Sequence, residues 1–242
     1  MKISITIPAH NEQDRIGRTL EHYIKYFNDK KKAGACDYEL VIVLNACTDN
    51  TLGVVKRAQK DSKAVHILDL PQGGKGLAVV AGFKDALTRN NDYIGFVDAD
   101  MATKPEAFYD LVEKIPQHHG IIASRYMKGA QLHVPRPLFK RWGTRLIYEP
   151  FVWLLFGLSY KDLQCGAKLF QRKVIETIIS KCTVKRWAFD VEILYLCRKN
   201  KFIVKETPTK WHDQAGSKLS TVKDGIRMFT SLIKLRLKHP LF

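Results

Sequence analysis

Short apolar runs alternate with longer stretches of helical period through the first half of the chain. Ile3–Pro8, Glu39–Leu44, Val65–Asp69, Tyr93–Val97 and Ile121–Ser124 read as strands. Between them, Glu12–Asn28, Asp49–Asp61, Lys75–Thr88 and Pro105–Ile115 read as helices. Apolar strands separated by amphipathic helices predict an α/β domain whose mostly parallel central sheet is covered on both faces. Ligands of such sheets bind beyond the carboxyl ends of the strands. The polar, motif-like segments of this chain fall at those ends.

The second half is less regular. His133–Phe139 is rich in proline, and Leu138–Phe156 reads as a helical stretch interrupted at Pro150. Lys168–Phe170 and Phe202–Lys205 are further strand candidates, and Thr221–Lys238 reads as a closing basic, amphipathic helix. No internal repeat, low-complexity segment or long linker is visible. One domain over residues 1–242 is the simplest account, dividing into a regular half, 1–125, and a less regular half, 126–242.

Composition changes this picture in one respect. The 242 residues are 45% hydrophobic, an ordinary globular balance, but 40 Lys and Arg face 24 Asp and Glu, a formal charge of +16. Such a surface attracts polyanions: nucleic acid, anionic lipid headgroups or phosphorylated substrates. Charge alone does not choose among them. The five cysteines form no C-x-x-C pair and are odd in number, which speaks against a disulfide framework or a zinc site and for a reducing compartment. The N-terminus opens as a strand, without the apolar core of a signal peptide. The longest apolar run, Phe151–Leu158 with Gly157 set aside, is far short of the roughly 20 residues that a membrane-spanning helix needs.

Candidate chemistry concentrates in Asp98-Ala99-Asp100, directly after the apolar strand Tyr93–Val97. Successive side chains of an extended chain point to opposite sides, so the two carboxylates are presented differently. Paired carboxylates at a strand end suit Mn²⁺ or Mg²⁺, which prefer oxygen ligands and diphosphate oxygens. A polar turn with a capping aspartate uses the same residues. Ile5–Glu12 and Val43–Thr51 end the first two strands in polar turns. Gly73-Gly74-Lys75-Gly76 opens a helix, leaving free N–H groups and a cation for an anion.

In order and spacing these segments resemble the family 2 glycosyltransferases, and most of all the dolichyl-phosphate (polyprenyl-phosphate) mannose and glucose synthases. The resemblance rests on Ile7–Glu12, Cys47–Thr51, Gly74–Gly76, Asp98–Asp100, Ser124–Tyr126, Asp162–Phe170 and Trp187–Glu192, and so spans almost the whole chain. It implies the nucleotide-diphospho-sugar transferase fold (GT-A, Rossmann-like), a divalent metal and an inverting transfer. The donor would be a UDP- or GDP-hexose and the acceptor a polyprenyl phosphate. Pro8, His10 and Glu12 would line the base and ribose pocket, with Asp49 of the neighbouring motif also binding substrate. Asn45 stands where the family usually has an aspartate, which keeps an acceptor oxygen but adds an amide donor and removes a charge. Asp98 would contact the ribose–metal region, Asp100 would be the main metal ligand, and Lys75 would lie near the nucleotide. Arg125 and Arg141 match positions that hold the lipid phosphate; Arg136, Lys140 and Arg145 extend that basic cluster. Asp162 and Gln164 are expected on the sugar side of the pocket. Lys210–Lys218 resembles a loop that closes over the donor and brings His212 toward the diphosphate or metal.

A phosphate acceptor needs no strong general base, because its second pKa is about 6. A sugar hydroxyl would need one, and Asp190 is then the candidate, with Glu192 as a structural partner on another helix face. Two readings compete with a lipid-phosphate acceptor: transfer to a hydroxyl of a saccharide or glycolipid, and a basic nucleic-acid-binding protein, although no recognised nucleic-acid module is present. Leu146–Phe156 sets aromatics and aliphatics beside the arginine cluster. Ile226, Phe229, Ile233 and Leu237 recur at helical spacing among basic residues. Such a stripe serves either a membrane interface or a protein core. The chain is therefore expected to be cytoplasmic and peripheral on the cytoplasmic face of a membrane, by itself or through a membrane-protein partner.

Overall fold

The computed structural model describes residues 1–133, 147–186, 188–212 and 223–239. Eight strands and eight helices concern the site: β1 (Lys2–Ala9), α1 (Ile16–Lys32), β2 (Asp37–Asn45), α2 (Thr51–Asp61), β3 (Val65–Leu70), α3 (Lys75–Leu87), β4 (Tyr93–Val97), α4 (Pro105–Lys114), β5 (Gly120–Ser124), β6 (Gln131–Leu132), α5 (Glu149–Phe156), β7 (Ala167–Gln171), α6 (Arg172–Ile178), α7 (Phe189–Lys199), β8 (Val204–Pro208) and α8 (Lys223–Lys238). A short strand β9 (Lys210–Trp211) pairs with β6 in a separate ribbon.

The main sheet has seven strands in the order β3-β2-β1-β4-β7-β5-β8. All pairings are parallel except those of β7, which runs antiparallel to both β4 and β5. Alternation divides the side chains between two apolar layers. Ile3, Ile5, Ile7, Leu40, Ile42 and Leu44 face α1, α2 and α4. Ile94, Phe96, Ile122 and Phe170 face α3, α5, α6, α7 and α8. Both faces are buried, which is why the strands read as almost continuous apolar runs. In the first layer Phe27 lies 5.3 Å from Tyr38, 5.6 Å from Tyr26 and 6.4 Å from Phe108, ring centre to ring centre, locking α1 against α4. Such pairs contribute about 0.5–1.5 kcal/mol each beyond burial.

The five strands expected in the first half are present with ends shifted by at most two residues, and α/β class with a mostly parallel sheet is the observed fold. Two helix starts lie later than the pattern suggests. The stretch expected to begin α1 at Glu12 is a turn, because Asn11, Glu12 and Gln13 bond across to the loop after β2: Asn11 Nδ2 to Thr48, Glu12 N to Thr51 and Asn50 N to Gln13. α2 begins at Thr51 rather than Asp49, whose carboxylate accepts from the Thr51 N–H at 3.0 Å. Pro150 does not interrupt a helix; it sits in the first turn of α5, where its missing N–H is not needed. The expected helix before residue 147 and the start at Thr221 lie outside the described residues.

The apolar stripe of α8, read as serving either a membrane or the core, divides between packed and exposed positions, with Phe229 against Tyr148 and Phe151. Leu232 and Leu235 are buried against α7, while Ile233 and Leu237 are exposed. Among the described residues, no helix is long and apolar enough to cross a membrane.

Candidate active site

The carboxyl ends of β1, β2 and β4 form one rim of the sheet, and each is followed by a residue with positive φ: Asn11 at 53°, Ala46 at 52° and Met101 at 61°. A non-glycine residue in the left-handed region costs about 1–2 kcal/mol, and such strain concentrates where a loop must be held in one shape. Because β2, β1 and β4 are adjacent and parallel, the three turns lie side by side on the rim.

β4 delivers Asp98 and Asp100. The turn is fastened from α1, where the Thr19 hydroxyl donates to Ala99 O at 2.7 Å and the Tyr23 hydroxyl to Thr103 O at 2.9 Å. Asp100 Oδ1 accepts from the Ala102 N–H at 2.9 Å. β7 enters the sheet beside the point where β4 leaves it, so Gly166 meets Asp98: the Asp98 N–H donates to Gly166 O at 3.0 Å. A Cβ at Gly166 would stand 2.0 Å from Asp98 Oδ2, so only glycine admits the carboxylate there.

Lys75 opens α3 and reaches the same carboxylate, with Nζ 2.5 Å from Asp98 Oδ1. The turn before it depends on Gly74, with φ at +150° and a Cβ position only 2.3 Å from Lys185 O. The Gly74 N–H donates to Asn45 Oδ1 at 2.7 Å, and His10 Nδ1 lies 2.7 Å from Asn45 O. Asn45 thus ties the first three loops of the rim together. Burial works to lower the Lys75 pKa, but Asp98 and Asp190 outweigh it and keep the group above its usual range.

Asp190 lies on the first turn of α7, almost fully buried. Lys168 of β7 sends Nζ to its Oδ1 at 2.6 Å and to Cys165 O at 2.7 Å. Burial pushes the Asp190 carboxyl up against the pull of Lys168 and Lys75. Lys168 is expected only as a motif and strand residue; a lysine inside the apolar run Ala167–Phe170 is the signal that a buried anion lies opposite. Glu192 faces elsewhere, taking the N–H groups of Thr183 and Val184 at 2.8–2.9 Å, and so braces the loop that covers Gly74.

Several expected ligands are occupied otherwise. Arg125, read as a phosphate holder, is buried and grips Asp162 with Nε at 2.7 Å and Nη2 at 2.8 Å, while its guanidinium lies 4.9 Å from the Trp211 ring. A buried bidentate pair leaves no fork for a substrate phosphate. Asp162, read as a sugar ligand, is consumed by the same pair, and its backbone N–H and that of Lys161 go to Glu206. Asp49 spends its oxygens on Gln13 and Thr51, fastening the first two loops. Gln164 turns toward α8, with Nε2 3.2 Å from Met228 Sδ. Arg141, Arg136, Lys140, Arg145 and Trp187, and the loop from Asp213 to Lys218, lie outside the described residues.

Pro8, His10 and Glu12 do stand on the rim, with Glu12 paired to Arg15 at 2.7–2.8 Å. His212 reaches the Asp100 turn through its N–H, which donates to Ala102 O at 3.0 Å, and its ring stacks 3.9 Å from His133. Burial, Lys104 and His133 hold the His212 pKa below its usual value, so the ring is neutral at pH 7.

The donor set fits a hard divalent cation. Burial and the charge of Asp98 raise the Asp100 pKa, and a cation would relieve both penalties. Mg²⁺ and Mn²⁺ take one or two carboxylates and complete their shell with water and phosphate oxygens. Among the described residues, no group of three or more His, Cys, Asp and Glu could hold a metal.

A doubly covered sheet with paired carboxylates, a helix-opening lysine and converging loops at one rim defines a nucleotide-diphospho-sugar transferase of the GT-A type. Solved structures share the fold: glucosyl-3-phosphoglycerate synthase from Mycobacterium tuberculosis, in complex with Mn²⁺ and UDP-Glc, matches 99% of this chain and 80% of its own with a TM-score of 0.71 at 15% identity. A mycobacterial protein of 19% identity matches 99% of this chain and 76% of its own, also with a TM-score of 0.71. The glycosyl transferase family 2 model matches residues 4–179. The chain belongs to glycosyl transferase family 2. It is 33% identical to the dolichyl-phosphate beta-glucosyltransferase of Dictyostelium discoideum over 98% of this chain and 74% of that protein. It is 30% identical to the human protein of that name over 98% of this chain and 76% of the relative.

Proposed function

We propose that this glycosyltransferase moves a glucosyl group from UDP-glucose to a polyprenyl (dolichyl) phosphate, with inversion at the anomeric carbon, at a membrane surface. The observation that carries the reading is the Asp98–Asp100 pair beside Lys75 on the rim of a family 2 domain. The names of its relatives supply the acceptor and the sugar. Residues 1–125 would hold the donor: Pro8, His10, Glu12 and Asn45 around the nucleoside, and Lys75 at the diphosphate. Asp98 and Asp100 would hold Mn²⁺ or Mg²⁺, which supplies charge stabilisation to the departing diphosphate. Residues 126–242 would receive the acceptor, with Arg141 and its basic neighbours as phosphate holders and His212 at the margin of the reacting centre.

A phosphate acceptor brings its own ionised oxygen, so the residues need only bind and orient it. Asp190 suits this better than the role of base to a hydroxyl, since it is buried and its Oδ1 is held by Lys168. Its part is to balance charge beneath the cleft.

The acceptor side also offers a lipid-facing surface. α5 and α8 pack through Phe151 and Phe229, 5.0 Å apart, and turn Trp153, Leu154, Ile233 and Leu237 outward, with Ile147 exposed just before α5. Arg227, Lys234 and Lys238 border them. Exposed aromatic and aliphatic side chains beside lysines suit the headgroup boundary of an anionic membrane. The test is incubation with Mn²⁺, a panel of sugar nucleotides and a short polyprenyl phosphate, with glycolipid measured by mass spectrometry. Glucosyl lipid from UDP-glucose supports the proposal. Transfer to a saccharide hydroxyl, with no lipid product from any donor, rejects it.

A further inference from the structure

We infer that Lys75 holds the place of the divalent cation at Asp98 until a nucleotide diphosphate arrives, so that lysine and cation compete for one carboxylate. The inference rests on the reading of Asp98 and Asp100 as the cation site.

Asp98 has two oxygens, and they are not equivalent. Oδ2 is packed over Gly166, where even a methyl group would stand 2.0 Å away. Oδ1 carries the Lys75 ammonium at 2.5 Å. A divalent cation bonds a carboxylate oxygen at about 2.0–2.2 Å, so it cannot share Oδ1 with an ammonium at hydrogen-bond distance without strong repulsion. Asp100 offers less resistance, since its Oδ1 is engaged only by the Ala102 N–H.

The backbone under Lys75 is fixed. The Gly74 N–H is bound to Asn45, and the Leu77 N–H donates to Lys185 O at 3.1 Å. What moves is the flexible four-carbon side chain. It lies between β4 and α7, with Nζ 5.9 Å from the Phe96 ring centre and 6.0 Å from that of Phe189. A cation arriving alone must displace the ammonium from Asp98 toward Asp190, whose Oδ1 already holds Lys168. A diphosphate supplies a new anion. Lysine then turns from Asp98 to the phosphates and the carboxylate is released to the cation. Cation and nucleotide therefore bind with positive coupling, and each raises the affinity for the other by the same factor. Lys75 acts here as a positioning residue that offsets the charge of Asp98 and keeps the site closed to bare cations.

The experiment titrates Mn²⁺ into the full chain with and without UDP, reading free Mn²⁺ by electron paramagnetic resonance. Lys75→Met and Lys75→Gln are expected to bind Mn²⁺ alone about five- to tenfold more tightly than the wild type, the scale of losing one partly buried competing cation. In both, the enhancement by UDP shrinks toward one. Lys75→Arg keeps the wild-type pattern. Equal affinity of the wild type and both neutral variants for Mn²⁺ alone overturns the inference, as does a Lys75→Arg variant that behaves like methionine. Asp100→Ala separates the two levels of the argument. If it retains wild-type Mn²⁺ affinity, the cation site itself is misplaced. If it loses Mn²⁺ while the neutral Lys75 variants match the wild type, the site stands and only the place-holding falls.

Discussion

Lys168 Nζ lies 2.6 Å from Asp190 Oδ1, joining the antiparallel strand β7 to helix α7 through a buried ion pair. Removing one member of a buried pair strands the other charge, which costs about 3–5 kcal/mol, while replacing both by apolar groups is often neutral. Lys168→Met should therefore destabilise the protein by that order. Lys168→Met combined with Asp190→Leu should recover most of it, as checked by urea unfolding in a double-variant cycle. Asp190→Asn bears on chemistry: transfer to a lipid phosphate should survive at a measurable level, whereas a hydroxyl-directed enzyme would be silenced.

Asp100 illustrates a cost accepted for function. Its carboxyl is raised by burial and by Asp98, so the charged form is disfavoured in the folded chain. A group whose folded pKa exceeds its unfolded value favours the fold at low pH and works against it as pH rises past that value. Asp100→Asn removes the penalty and should raise the melting temperature at pH 7 by about 2–4 °C. The gain should shrink toward pH 4, as the raised carboxyl takes up a proton before a free aspartate does. Turnover should fall by about a hundredfold or more through lost charge stabilisation. Calorimetry at the two pH values and a donor hydrolysis assay check the three outcomes.

Asp162 titrates in the opposite sense. Burial alone would raise it, but the Arg125 guanidinium prevails and holds its carboxyl below the usual range. The unfolded chain then binds more protons than the folded one between that lowered value and about pH 4. Stability from this pair is complete above about pH 5 and is lost as pH falls through the folded value. Asp162→Asn should flatten the acid limb of the stability profile and lower stability at pH 7, with the Trp211 fluorescence shifting as the guanidinium loses its anchor.

The outward face of α5 and α8 predicts a separation of membrane and donor effects. Trp153 and Leu154 are 59% and 72% exposed, so replacing them costs the fold little. Trp153→Glu with Leu154→Glu should abolish sedimentation with anionic vesicles and reduce transfer to a long polyprenyl phosphate at least tenfold. Affinity for UDP should stay unchanged. Unchanged vesicle binding by the double variant counts against this face.

Much of the architecture is legible from local pattern. Apolar runs of strand length with helices between them mark β1 to β5, and the Asp98-Ala99-Asp100 turn at the end of β4 marks the rim. Those features depend on residues a few positions apart, so period and spacing carry them. Helix starts are less legible. The polar residues from Asn11 to Gln13 suit a helix as well as the cross-loop bonds to Thr48, Thr51 and Asn50 that they make.

Pairing across distance belongs to the folded chain alone. A short apolar strand such as β7 has the same pattern whichever way it runs, and its antiparallel entry beside β4 is what sets Gly166 against Asp98 and Lys168 under Asp190. Arg125 and Asp162 each look like a ligand when read singly. Being 37 residues apart in the chain and 2.7 Å apart in space, they spend their charges on each other. Residue type and order establish which groups can carry charge at the rim; which of them face a substrate and which neutralise a neighbour follows from packing, because burying a charge demands a partner that no local stretch of chain supplies.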